Sequence, residues 1–158
     1  MLTFLAISTG MVLAYLVYST KVSGSIPVSL SATYYALGKH KWLFPLFMAM
    51  FAVLLYPVWF TASQAEHQCL VFLSCASLLF VASSPCFREE LQGKVHYSSA
   101  IVCCICTVLW QVLEGLWDIT IYFAWIGGIL SLVWRKQWCW WVECAVVGSL
   151  LANLWRLV

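Results

Sequence analysis

Long apolar runs separated by short charged connections constrain this chain more than any other feature. The runs are Leu2–Thr20, Trp42–Thr61, Cys69–Ser84, Val95–Val112, Ile119–Trp134 and Trp138–Val158. A helix that crosses the hydrocarbon core of a bilayer needs about 20 mostly apolar residues, within a range of about 17–25. The runs therefore predict an all-α, polytopic transmembrane bundle of six helices with short loops, one domain over residues 1–158. The third and fifth runs are short. They can borrow flanking residues or cross with little tilt.

Composition agrees. Hydrophobic residues make up 64% of the chain and charged residues 9%, against about 45–50% and about 25% in soluble domains. Six acids and eight bases are too few to cover a water-soluble surface. This excludes a soluble enzyme, a disordered tail and a nucleic-acid binder. The net charge of +2 implies no anionic partner. The expected partner is the lipid bilayer, with a lipid headgroup as a candidate ligand. A carrier would be expected to form a homo-oligomer, because a path through one subunit of this size would be cramped.

The bases set the expected orientation. Lys21, Lys39, Lys41, Arg88, Lys94, Arg135 and Lys136 fall after the first, third and fifth runs, and only Arg156 falls on the opposite side. The positive-inside rule places the loops 21–41, 85–94 and 135–137 in the cytoplasm and both termini outside. Trp42, Trp134, Trp138, Trp140 and Trp141 would mark the cytoplasmic interface, and Trp59, Trp117 and Trp155 the outer one. Trp110 and Trp125 fall deeper and are expected to pack between helices. The first run has no basic start, and its first charge is Lys21 at the far end. That pattern suits a retained, reverse-oriented anchor.

Small residues mark the expected helix contacts, since lipid gives little hydrophobic drive for association. Ser99, Cys103, Thr107, Gln111 and Gly115 recur every four residues along the fourth helix. Cys144, Gly148 and Ala152 do so on the sixth, and Ala124, Gly128 and Ser131 line the fifth. These read as packing faces; lining of a polar pathway is the alternative for the first stripe. Cys103-x-x-Cys106 has a metal-ligand spacing, but it lies in an apolar run without a second pair. The cysteines read as small polarizable packing residues. No metal, disulfide framework or cofactor is expected.

Glu143 is the costly residue. It lies five positions inside Trp138, roughly 7–8 Å down a helix. An acid at that depth either serves a function or reaches back to pair with Arg135, Lys136 or His96. The connection Pro85–Lys94, followed by His96, gathers Arg88, Glu89 and other charges at the same end. It reads as a solvated loop or as a headgroup site shared with Glu143 and the first connection. That connection, Lys21–Lys41, supplies Ser29 and Ser31, and a short interfacial helix is expected between Pro27 and Gly38. Together Glu143, His96, Ser29, Ser31, Arg88 and Glu89 form the expected polar pocket. No acid is placed to orient His96 and there is no nucleophile elbow, so no catalytic residue is assigned. Glu114 and Asp118 read as caps flanking a tight turn.

Two short motifs bear a family likeness. Ile26-Pro27-Val28-Ser29 in the first connection and His96-Tyr97-Ser98-Ser99-Ala100 at the start of the fourth helix resemble motifs of the damage-regulated autophagy modulator family and its bacterial relatives. Leu30-Ser31-Ala32 stands where that family has an acid and a glycine, and Ser99 where it has a glycine. The resemblance implies six helices and a lipid-linked role. From the residues themselves the expected function is non-enzymatic binding of lipid or a partner at the cytoplasmic interface. The alternatives are a small proton-coupled transporter using Glu143, or a membrane-embedded lipid hydrolase using His96.

Overall fold

The computed structural model describes residues 1–158, and they form helices and turns without strands. The elements are α1 (Leu2–Ser23), α2 (Thr33–Ala36), α3 (Leu43–Ala62), α4 (Gln68–Ser83), α5 (Glu90–Leu113), α6 (Trp117–Val133) and α7 (Trp138–Leu157). Four stretches are long and apolar enough to cross a membrane: α1, Gly38–Ala62, Ala65–Ser83 and α5. The apolar helix α6 is shorter. In α7 the apolar sequence is interrupted by Glu143, Asn153 and Arg156.

Backbone stops explain the boundaries. Gly24 ends α1 with φ 66°, and Gly115 ends α5 with φ 74°. Only glycine takes that left-handed conformation without strain. After Gly115 the Leu116 amide returns to the Gln111 carbonyl at 2.8 Å. Gly115 is thus a helix terminator exposed to the outside, not the last member of a packing stripe. α5 begins at Glu90 rather than Val95, so the loop before it shrinks to a few residues after Ser84. The helix expected between Pro27 and Gly38 is a single turn, Thr33–Ala36, preceded by tight turns.

The long helices pack in a ring. α3 lies on α4, α4 on α5, α5 on α7, and α1 bridges α3 and α7. α6 stands outside the ring against α7 and α5. Trp59 and Trp110 meet edge to face at 5.3 Å, and both are fully buried. Such a pair contributes about 0.5–1.5 kcal/mol beyond its area. Trp59 and Trp140 are buried in the core, whereas Trp125, expected between helices, is 70% exposed on the outer face of α6.

Contact between α6 and α7 rests on two glycines. A Cβ on Gly127 would stand 2.7 Å from Ala145 Cβ and 3.2 Å from the Trp141 carbonyl oxygen. One on Gly148 would meet the Phe123 ring at 2.6 Å. Gly128 and Ala124, expected on this face, turn outward. Of the α5 stripe, Ser99 and Cys103 are half-buried, and Thr107 and Gln111 are buried. Thr107 Oγ1 donates to Ser74 Oγ at 3.3 Å, joining α5 to α4.

Gln111 centres a polar knot. Its Oε1 accepts from Thr120 Oγ1 at 2.9 Å and from Asn153 Nδ2 at 2.8 Å. α5, α6 and α7 are thereby joined through fully or nearly fully buried side chains. Interhelical hydrogen bonds of this kind substitute for the hydrophobic drive that lipid does not supply.

The connections alternate between two ends. Residues 24–42, 84–89 and 134–137 meet at one end, where Lys21, Lys39, Lys41, Arg88, Lys94, Arg135 and Lys136 lie. At the opposite end the Gln64 amide and His67 Nδ1 donate to Glu114 Oε1 at 2.9 and 3.1 Å, and Arg156 pairs with Asp118 at 2.6 Å.

Candidate functional site

The basic end holds a buried polar cluster built from three separate parts of the chain. The first connection supplies its centre. Ser29 Oγ accepts the Ala32 amide at 3.0 Å, and the Leu30 carbonyl accepts the Thr33 amide at 3.2 Å. These turns aim Leu30 and Ser31 into the bundle, where both are buried. The Thr33 hydroxyl meets the Tyr15 phenol of α1, and the Tyr15 ring stacks on Phe47 of α3 at 4.1 Å. The segment is thus held from both sides.

α7 supplies the acid. Glu143 Oε2 accepts the Leu30 amide at 2.6 Å. The Trp140 amide donates to the Val28 carbonyl at 3.1 Å. Both bonds tie the N-terminal turns of α7 to residues 28–30. The expected ionic partners of Glu143 are absent: neither Arg135, Lys136 nor His96 pairs with it. Its carboxylate accepts one backbone amide, with no cation facing it.

α5 supplies the imidazole. His96 is buried between Ser84 and Ser31. Its Nδ1 lies 2.9 Å from the Ser84 carbonyl oxygen, an acceptor only, so Nδ1 carries the proton there. Nε2 is then free to accept the Ser31 hydroxyl, 2.7 Å away. His96 and Glu143 do not touch. They bind neighbouring positions, Ser31 and Leu30, of one turn.

The other expected members lie apart. Ser29 closes its own turn. Arg88 is exposed, its guanidinium over the Tyr35 ring at 4.1 Å and its amide donating to the Tyr35 hydroxyl at 3.1 Å. Glu89 precedes α5 and accepts from Gln92 Nε2 at 2.9 Å. Both belong to the rim of the basic end rather than to the pocket. Tyr34, by contrast, is buried. Its hydroxyl reaches Cys86 Sγ at 3.3 Å, and that contact, with burial, pushes the phenol up to about 12.

Below Ser31 and Glu143 the helix ring surrounds a partly open cavity of about 340 Å³. α1, α3, α4, α5 and α7 wall it, mostly with apolar side chains such as Val12, Phe51, Leu78 and Leu151. Its polar groups are few: Ser31 and Glu143 at the basic end, Thr107 midway and Thr9 near the far end. An apolar pocket with a few convergent polar groups is the usual form of a small-molecule site, within the common range of about 300–1,000 Å³. Sequence reasoning missed the cavity. The recurring small residues Cys144, Gly148 and Ala152 of α7 that line it were the available signal.

Comparisons of the chain with protein-family models, curated proteins and solved structures find no match.

Proposed function

We propose that this chain is a multi-pass membrane protein whose six long helices all span the bilayer, with the basic end in the cytoplasm and both termini outside. Its function on this reading is non-enzymatic: it holds a lipid with the headgroup at the cytoplasmic interface. The carrying observation is the placement of Ser31, His96 and Glu143 at the head of an apolar cavity inside the base-rich end. Buried polar groups within a membrane are expensive and by default serve a ligand or pathway. The resemblance to the damage-regulated autophagy modulator family favours the same reading. The segments that carry its two motifs meet at the Ser31–His96 bond. The mainly apolar wall of the cavity favours lipid over a proton-coupled carrier, which would need polar groups along its length.

The test is native mass spectrometry of protein purified in mild detergent. A single retained lipid, lost in Ala152→Phe, supports the reading. Ala152 lines the cavity on α7, so a phenyl ring there occupies the ligand's space. Identical spectra without adducts from both proteins would oppose it.

A second reading, a lipid-ester hydrolase, has one observation in its favour. Ser31 is hydrogen-bonded to a histidine whose other nitrogen is oriented by a carbonyl, the arrangement of an activated nucleophile. A fluorophosphonate probe that labels the protein but not Ser31→Ala would favour it. Absence of labelling would favour binding alone.

A further inference from the structure

Resting on the lipid-binding reading, we infer the ligand's chemistry: a long-chain amphiphile with a hydrogen-bond-donating, non-anionic headgroup, a long-chain amine above all.

The chain's place follows from the cavity's shape. Lining residues on α7 run from Glu143 to Trp155, a rise of about 18 Å at about 1.5 Å per residue. Lining residues on α3 run from Phe47 to Trp59, the same length. A cavity of about 340 Å³ drawn out over that length admits an extended hydrocarbon chain.

Headgroup chemistry follows from the polar end. Glu143 has one backbone amide as donor and no cation beside it. No lysine or arginine lines the cavity. The neighbouring hydroxyl donors are already used, Ser31 toward His96 and Thr107 toward Ser74, which leaves only the weak thiol donors of Cys103, Cys104 and Cys144. What the site presents is acceptors: the Glu143 carboxylate and the Ser31 oxygen. An ammonium supplies the missing opposite charge, and an alcohol supplies a donor. A fatty-acid carboxylate or a phosphate would place like charge against Glu143 with nothing to offset its desolvation.

The structure also provides a way in. Leu13 of α1 lines the cavity and is nevertheless 59% exposed on the outside of the bundle. α1 and α7 are joined near the far end by the bond from Trp155 Nε1 to Thr9 Oγ1, 3.0 Å long. The gap beside Leu13 is a lateral opening through which a chain enters from the bilayer.

The test uses the full protein in nanodiscs and a hexadecylamine analogue carrying a diazirine midway along its chain. Photo-crosslinks are mapped by mass spectrometry and competed with unlabelled hexadecylamine, monopalmitoylglycerol and palmitate. Crosslinks should fall on cavity positions such as Leu16, Phe51 and Val147. The amine and the glyceride should compete at concentrations at least about tenfold below palmitate. Glu143→Gln, which can still accept the Leu30 amide, should reduce amine labelling about tenfold while leaving the melting temperature near that of the wild type. Equal competition by palmitate, or unchanged labelling of Glu143→Gln, overturns the headgroup inference and leaves lipid binding standing. Crosslinks confined to the outer helix faces, with Ala152→Phe labelled like the wild type, overturn lipid binding itself.

Discussion

Replacing Gly127 by alanine adds one methyl group at the closest approach of α6 and α7. The new Cβ would lie 2.7 Å from Ala145 Cβ and 3.2 Å from the Trp141 carbonyl oxygen. Neither neighbour is the flexible end of a long side chain, so α6 as a whole has to move. Overpacking of this kind costs about 1–3 kcal/mol. Glycine-to-alanine changes in helices also carry a propensity gain of about 1 kcal/mol, which would obscure the packing effect in a single variant. Gly128→Ala removes that ambiguity. It sits one residue on in the same helix, and its Cβ would meet nothing within 4 Å. The difference between the two variants isolates the packing cost. At about 2–4 °C per kcal/mol for a chain of this size, Gly127→Ala should melt roughly 2–12 °C below Gly128→Ala. The assay is a thermal scan by intrinsic fluorescence in one detergent at one protein concentration. Equal midpoints, or a lower midpoint for Gly128→Ala, would refute the register assigned to the α6–α7 contact.

Gln111→Leu should destabilise the bundle by about 1–3 kcal/mol, because Thr120 and Asn153 lose a buried acceptor. Combining it with Asn153→Leu should cost less than the sum of the two single changes, and a double-mutant cycle on melting reads the coupling. Arg156→Ala removes an ion pair whose side chains are both about half exposed, so its melting midpoint should stay close to that of the wild type. A larger loss would mean that this pair carries the outer end of α7. His96→Phe keeps the aromatic bulk but leaves the buried Ser31 hydroxyl and Ser84 carbonyl without partners, and should destabilise by about 1–3 kcal/mol. His96→Phe combined with Ser31→Ala should recover part of that loss.

The helices were legible because apolar runs and helices have the same physical cause. Each run coincides with a helix to within a few residues at most ends. The largest miss is the start of α5, where Glu90-Leu91-Gln92-Gly93-Lys94 carries a charge at each end and a glycine within, and so reads as loop although its backbone is helical. Registers were less legible. A spacing of four drifts round a helix whose period is 3.6, so Gly127 and Gly128 were equally available to a pattern search, and only the packed partner selects Gly127. The cost of burying Glu143 was readable from its position in α7. Its partner was not, because the Leu30 amide lies 113 residues away and backbone donors leave no side-chain signature. The choice of Ser31 over Ser29 depends on the turns at 28–33, where Ser29 closes its own turn and Ser31 is buried against His96. Asn153 was passed over, although an amide in an apolar run is itself a sign of an interhelical bond.

Sided labelling of single cysteines tests the central claim, that the polar cluster heads an intramembrane cavity at the cytoplasmic end of six spans. In a background otherwise free of cysteine, native Cys69 reports the opposite end, where it is exposed at the start of α4. Lys136→Cys, in the exposed turn between α6 and α7, reports the basic end. An impermeant maleimide applied to intact cells should modify Cys69 and should reach Lys136→Cys only after permeabilisation. Modification of both positions in intact cells, or of neither, would contradict the account, because three helices separate them and an odd number of crossings must place them on opposite faces.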